Sequence, residues 1–522
     1  MERRGCDGTT CREESSGRGE RRSAGWGSRN GMNAMRLEEL LGGDVAGRLA
    51  QADRDLDIAG LTADSRLVQA GYLFAALPGT KADGAKFVGD ALARGAAAVL
   101  ARPGLKTDFG QAVVVADANP RRALARAAAR FYAPQPETIV AVTGTNGKTS
   151  VAAFVRQIFE RLGHSAASIG TLGVMSSAVT TDFGMTTPGP VELHSTLKAL
   201  KAHGVDHVAM EASSHGLAQY RLDGVDVKAA AITNLTRDHL DYHESVEAYA
   251  YAKLRLFGEV MAPGGVAVIN ADAAIAAEAQ ALSWARGHRI ISVGAAGEHL
   301  RLAEQTPYGA GQRLRLTFEG RTLDIELPLA GLFQASNALV AAGLAIGVGM
   351  DANGVFEALH HLKGAPGRLE LIVHTPKGAA VYVDYAHTPD AVETVLNALR
   401  PHVKGALDIV FGCGGDRDRG KRPQMGDIAR RLADHVIVTD DNPRSEDAAA
   451  IRAAILEAAP GAREIADRGE AIAAAIARLE DGDALVVAGK GHESGQIVGA
   501  QVIPFNDSDE VRRAVAALGA RK

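Results

Sequence analysis

The stretch Val142-Thr143-Gly144-Thr145-Asn146-Gly147-Lys148-Thr149-Ser150 carries the residue types that hold a chain of phosphates. Glycines let a backbone wrap an anion, and a following helix N-terminus offers free N–H groups and a positive dipole end. Lys148 would hold the outer phosphates, and Thr149 would offer its hydroxyl to Mg²⁺. The usual spacing puts a first glycine at position 142, where this chain has Val142, so a shorter Gly-x-x-Gly-Lys-Thr form is present. Further along stand Glu211, then Asp238 and His239. Mg²⁺ takes hard ligands and keeps several waters, so one carboxylate, one imidazole and Thr149 are a sufficient set. Lys253 sits among apolar neighbours in Tyr249-Ala-Tyr-Ala-Lys253-Leu-Arg-Leu-Phe257. A buried lysine is costly unless paired or neutralised, and the alternative is a stem that snorkels along a helix.

These residues need elements to hold them. The apolar run 139–142 predicts a buried strand before the loop, and 151–162 predicts a helix after it. Strands over 208–210 and 229–233 end in Glu211-Ala-Ser213-Ser-His215 and in Asn234 through Asp238-His239. In an open parallel sheet, ligands bind beyond the carboxyl ends of strands. The alternation of 314–327 about Gly320 predicts a hairpin. Upstream, a strand leading into a polar turn over 58–66, a strand and turn over 71–79, a helix at 85–95 and a strand at 97–100 predict a small α/β domain. Ser65 and Lys81 there read by themselves as turn chemistry and a solvated cation. Downstream, strands at 379–383, 408–411, 435–439 and 484–488 alternate with helical segments, which predicts a doubly wound parallel sheet. Each of the four ends in Gly, Asp, Arg or His. A cleft for a charged substrate explains that once, where a structural account needs four coincidences.

The fold expected is therefore α/β in three domains. A disordered extension over 1–34 comes first. It is rich in Arg, Gly, Ser and Glu and lacks the apolar core of a secretory signal. With Met32 or Met35 as the start, it would not be native at all. A smaller α/β domain over 35–137 follows. Then come a central phosphate-loop domain over 138–363 and a Rossmann-like domain over 364–522. A length of 522 residues fits about three domains at ~150 residues each. The net charge of -5 gives no reason to expect nucleic acid or an anionic membrane. Cys6, Cys11 and Cys413 are too few and scattered for a disulfide framework, which favours a reducing compartment, the cytoplasm. No apolar run approaches the ~20 residues of a membrane span.

The motifs Thr143-Gly-Thr-Asn-Gly-Lys-Thr149, Glu211-Ala-Ser-Ser-His-Gly216, Asp238-His-Leu-Asp241, Asp384-Tyr-Ala-His387 and Gly414-Gly-Asp-Arg417 together resemble the Mur ligases. These are the ATP-dependent amide-forming enzymes of peptidoglycan synthesis. The resemblance covers nearly everything after Met35. Asp441-Asn442-Pro443-Arg444 resembles the recognition motif for meso-2,6-diaminopimelate in the branch that extends UDP-N-acetylmuramoyl-L-alanyl-D-glutamate. The resemblance implies ATP at Gly144, Thr145, Asn146, Gly147, Lys148, Thr149 and Ser150, with further nucleotide contacts at Asn270, Asp272, Asn337 and Arg368. It implies Mg²⁺ at Thr149, Glu211 and His239, and a carbamylated Lys253 that would resolve the buried-lysine problem. Lys148, Lys253, His239 and Glu211 would be the catalytic set. Ser65 and Thr80-Lys81-Ala82 would contact the uridine diphosphate. Thr186, Thr187, Ser213, Gln219 and Arg221 would contact the muramoyl-dipeptide. Arg417, Asp441, Asn442, Pro443, Arg444, Gly489 and Glu493 would hold diaminopimelate. Met185 and Gln334 depart from the asparagines frequent in relatives. A monomer is expected.

The implied chemistry is amide formation from a carboxylate through an acyl phosphate. Two anions must approach each other, so Lys148 and Mg²⁺ are needed. Arg417 and Arg444 suit carboxylates, and Glu493 suits a distal ammonium. Three alternatives stay open: a sister ligase adding lysine, a folate-type ligase, and a nucleotide switch that joins nothing.

Overall fold

Short Ala- and Val-rich strands alternating with amphipathic helices can bury both faces of a sheet only by wrapping helices on each side. The computed structural model does this three times along the chain. It describes residues 34–79, 83–177, 179–181, 183–236 and 238–519. The expected extension and Thr80, Lys81 and Ala82 lie outside them.

The first sheet has four parallel strands in sequence order, Gly60–Thr62, Tyr72–Ala75, Ala96–Ala101 and Val113–Ala116. The predicted helix over 85–95 is instead a 3-10 turn, Gly84–Phe87, leading into a short α-helix, Val88–Ala93. Asp83 accepts from Ala85 N at that entry, and Gly89 and the β-branched Val88 weaken a longer helix.

The central sheet has eleven strands. Its strand Thr138–Thr143 lies between His207–Glu211 and Val227–Ile232, all parallel. The chain leaves that strand for Ala166–Gly170, returns between at His207–Glu211, then crosses to the other side. The carboxyl end of Thr138–Thr143 is thus a topological switch point. The sheet is not purely parallel, as expected from the sequence, but mixed. Gly173–Ser176 and Thr180–Thr181 add antiparallel strands at one edge. At the other edge, Leu300–Tyr308, Gly311–Phe318 and Arg321–Leu327 form an antiparallel meander that includes the predicted hairpin. The meander's strands alternate buried and exposed residues, as one-sided packing requires. Helices Lys148–Arg161 and Phe333–Gly347 fill one face, and Pro190–Ala202, Val246–Arg255 and Ala276–Ala285 cover the other.

The third sheet has six strands in the order Glu370–His374, Ala380–Asp384, Ala484–Ala488, Leu407–Phe411, His435–Val438, Arg463–Glu464. It too is mixed, because Glu370–His374 runs antiparallel. The four predicted strands are neighbours, and their carboxyl ends share one edge. A hairpin, Gly495–Val498 with Gln501–Pro504, follows the last of them.

Candidate active site

The loop after Thr138–Thr143 closes tightly on its neighbours. Gly144 has φ 146° and Gly147 has φ 88°, values that side chains disfavour. A Cβ on Gly147 would fall 2.3 Å from Asn337 Oδ1, and one on Gly144 would strike Thr233 Oγ1. The loop is pinned from outside. Asn146 N donates to Asn234 Oδ1 at 2.9 Å, and Thr233 Oγ1 donates to Asn146 O at 2.6 Å. Lys148 Nζ donates to the loop's own carbonyls at Gly144 and Thr145, both at 2.8 Å. Burial lowers the Lys148 ammonium from its ordinary range. Ser150 is buried in the first turn of the helix.

Glu211 ends the neighbouring strand and is buried. Thr149 Oγ1 donates to its Oε2 at 3.1 Å. Thr171 donates to it twice, from N to Oε1 at 2.7 Å and from Oγ1 to Oε2 at 3.2 Å. The carboxylate therefore stands directly beside the phosphate loop, held by two hydroxyls and one amide. Thr171 carries no sequence signal of its own. It follows the strand Ala166–Gly170, which alternation did not reveal.

Lys253 is 1% exposed on the helix Val246–Arg255. Its Nζ donates to Gly144 O at 2.7 Å and lies 4.2 Å from the centre of the Tyr249 ring. The snorkelling alternative is thereby excluded. Among the described residues, no carboxylate pairs with it. Burial, and then the nearby Lys148 charge, push its pKa down to about 6. Tyr249 OH donates to Thr145 Oγ1 at 3.2 Å, which fixes the ring. His239, at φ 52°, packs edge-on to His215 at 4.9 Å and faces Tyr249 at 6.1 Å. Its own N–H donates to Asp238 Oδ1 at 2.8 Å. Lys148, Thr149, Glu211, His239 and Lys253 thus gather around one strand end. No three His, Cys, Asp or Glu converge as a metal cluster among the described residues. The donor set is one carboxylate, one hydroxyl and one imidazole, hard enough for Mg²⁺ with waters completing the shell.

Asn270 Nδ2 donates to Thr233 O at 2.7 Å, which ties it to the loop's outer support. Asp272 turns elsewhere: its two oxygens accept from Ala295 N and Ala296 N at 2.8 Å. Asn337 Nδ2 donates to Gln334 Oε1 at 3.0 Å, and Gln334 Nε2 donates to Arg368 O at 3.3 Å. The unusual Gln334 therefore links the loop region to the start of the third domain. Arg368 stacks 4.7 Å from the Tyr385 ring centre.

The dipeptide-contact candidates form one connected network. Thr186 and Thr171 share a hydroxyl hydrogen bond at 3.0 Å. Thr187 Oγ1 donates to Glu211 O and accepts from Ser213 N and Oγ. Arg221 donates to Thr187 O at 2.6 Å and to Gln219 Oε1 at 2.8 Å. Met185 is exposed, and its sulfur accepts from Arg221. Ser65 opens the short 3-10 helix Ser65–Leu67 of the first domain and is buried.

In the third domain, Asp441 and Asn442 are buried beyond His435–Val438. Arg444 adopts φ 53°. The hairpin holds it there: Arg444 N donates to Ile497 O at 3.0 Å, and Gly499 N donates to Arg444 O at 2.7 Å. Pro443, just before it, cannot donate. Arg444 Nη1 donates to Gly415 O at 2.9 Å, and Arg417 donates to the Asp416 carbonyl at 3.3 Å. Gly489 faces Asp441 Oδ2, which a Cβ there would approach to 2.7 Å. Glu493 Oε2 accepts from Asn442 Nδ2 at 2.9 Å. Sequence reasoning passed over Lys490, which is fully buried between them. Asp384 is likewise buried and accepts from Leu369 N at 2.6 Å and Ala386 N at 2.7 Å. Burial pushes it up to about 6 against the Arg368 charge.

This arrangement, a glycine loop at a strand end of one domain and charged strand ends in the next, has relatives. Residues 57–132, 142–345 and 367–491 match, in turn, the models for the Mur ligase family catalytic domain, the Mur ligase middle domain and the Mur ligase glutamate ligase domain. A UDP-N-acetylmuramoyl-L-alanyl-D-glutamate--2,6-diaminopimelate ligase of Bradyrhizobium diazoefficiens is 55% identical, over 92% of this chain and 99% of that protein. A ligase of the same name from Caulobacter vibrioides is 56% identical, over 89% and 96%. A solved structure bearing that name has a TM-score of 0.71 at 34% identity, covering 93% of this chain and 99% of that one. The chain belongs to the Mur ligase family and has its three-domain α/β fold.

Proposed function

We propose that this chain is an ATP-dependent ligase joining meso-2,6-diaminopimelate to UDP-N-acetylmuramoyl-L-alanyl-D-glutamate. The observation that carries this reading is the likeness, over nearly the whole chain, to ligases of that name. The geometry supports it. Lys148 and the N-terminus of the helix that it opens suit the triphosphate, and the Thr186-Thr187-Ser213-Gln219-Arg221 network suits the dipeptide arm beside it.

In the first step the γ-carboxylate of D-glutamate attacks the terminal phosphate, giving an acyl phosphate and ADP. The amine of diaminopimelate then attacks that carbonyl and phosphate leaves. Lys148 would neutralise the outer phosphates through both steps. Thr149, Glu211, His239 and a carbamate on Lys253 would hold Mg²⁺, which when bound offsets the charge of the two approaching anions. The neutral amine that burial gives Lys253 is the form able to take up carbon dioxide. Arg417 and Arg444 would grip the carboxylates of diaminopimelate, and Glu493 its distal ammonium. Lysine lacks the distal carboxylate, so it would leave an arginine unpaired in a closed site. Among the described residues no helix is long and apolar enough to cross a membrane. The reading takes the chain as a cytoplasmic monomer.

The test is direct. ATP, the UDP-linked dipeptide and diaminopimelate are incubated with the protein, and the UDP-linked tripeptide and phosphate are measured. Product should require all three. Phosphate release with neither acceptor would point to a switch protein, and equal use of lysine would point to the sister ligase.

A further inference from the structure

Lys490 follows Gly489 past the strand Ala484–Ala488. Its Nζ donates to Asn442 Oδ1 at 3.0 Å and to Glu493 Oε2 at 2.9 Å. Asn442 Nδ2 donates to that same Oε2, and Ile497 N donates to Asn442 Oδ1 at 2.9 Å. The three side chains close a triangle. Two donors on Oδ1 fix which way the Asn442 amide faces, so Nδ2 must point at Glu493. Two donors on Oε2 fix the Glu493 carboxylate in turn. Its Oε1 takes neither of them, on a side chain that is 32% exposed.

Burying an ammonium is expensive, and an apolar side chain of similar volume commonly serves a fold as well or better. Stability alone gives no reason for a fully buried lysine here. Lys253 shows the contrast: among the described residues it has no carboxylate partner, whereas Lys490 has Glu493. We propose that Lys490 is a positioning residue for the amino-acid substrate. It orients Glu493 so that Oε1 meets a cationic group, and it locks Asn442 beside it. The substrate class this selects is a diamino acid whose second ammonium lies away from the reacting amine. The proposal rests on the reading of the third domain as the amino-acid site.

The test uses the full-length protein with Lys490→Met, Glu493→Gln and the double variant. Lys490→Met should raise KM for diaminopimelate about 10- to 100-fold, the range spanned by one hydrogen bond to a charged group. KM for ATP and for the UDP-linked dipeptide should stay put, and so should Tm. The double variant should be no worse than Glu493→Gln, because Lys490 acts through that carboxylate. Lys490→Gln, which keeps one donor, should fall between wild type and Lys490→Met. An unchanged KM for diaminopimelate, a rise in all three KM values, or losses that multiply in the double variant would each overturn the proposal. Should Lys490→Met not fold, Lys490→Gln decides by the same three readings. A wild-type protein that uses no diaminopimelate would instead overturn the underlying reading, and the proposal with it.

Discussion

Replacing Lys253 by alanine should cut ligation ~100- to 1000-fold while leaving the protein folded. With its pKa at about 6, the Lys253 amine is about 97% neutral at pH 7.5. A lysine at its ordinary 10.5 would be only about 0.1% neutral, so burial raises the carbon-dioxide-reactive form nearly a thousandfold. A carbamate there would turn a neutral neighbour of Lys148 into an anion. Removing one preorganised charge from such a site costs ~100- to 1000-fold in kcat. Lys253→Ala should show that loss and recover partly with a short carboxylate such as acetate. Lys253→Arg should be as inactive and beyond rescue, because its cation persists. Labelled bicarbonate should give wild type, and neither variant, a carbamate signal in ¹³C NMR. There is also a pH signature in carbonate-free buffer. Unfolded Lys253 holds its proton up to about 10.5 and the native residue only up to about 6, so the unfolded state binds more protons in between. Stability from this group therefore rises with pH from about 6 to about 10.5, and Lys253→Ala should lose that slope. Full activity of Lys253→Ala without added carboxylate would refute the reasoning.

Other residues give sharper single readings. Arg444→Ala should lower the diaminopimelate-to-lysine ratio of kcat/KM about 10- to 100-fold, as loss of a charge-assisted contact predicts; a ratio equal to wild type would remove Arg444 from discrimination. Gly147→Ala puts a Cβ 2.3 Å from Asn337 Oδ1 at φ 88°, so KM for ATP should rise sharply while the amino-acid KM holds; equal ATP affinity would contradict the loop geometry. Arg468 and Asp507 form a fully buried bidentate pair that ties the helix Asp507–Gly519 to the third sheet. Asp507→Ala leaves a buried cation unpaired and should cost about 3–5 kcal/mol, read as a lowered unfolding midpoint of that domain; no shift would argue that water reaches Arg468.

Local chemistry made much of the molecule legible. A strand, two glycines, Lys148-Thr149 and a helix need only adjacent residues, and the alternation of strands with helices constrains the connections to a few. The motif Asp441 to Arg444 stood out because charged residues end a buried strand. The four parallel strands of the third sheet could be read for the same reason. What stayed hidden depends on contacts between distant segments. The strand Ala166–Gly170 is apolar without alternation, so Thr171 could not be linked to Glu211. The antiparallel edge strands Gly173–Ser176, Thr180–Thr181 and Glu370–His374 pair through backbone groups, which carry no side-chain code. Asp272 follows a strand of the same sheet as the loop, yet its carboxylate serves the turn at Ala295 and Ala296.

The sequence by itself determined the family, the phosphate loop and the strand ends that bear charge, because those reside in runs of neighbouring residues. Only the tertiary structure decided that Lys253 reaches the carbonyl of Gly144, that a hairpin holds Arg444 at positive φ, and that Lys490 closes on Asn442 and Glu493. Apart from the contact between Lys490 and Glu493, each of those is a pairing across about fifty to a hundred residues, fixed by which helices and strands pack together and by how much water they exclude.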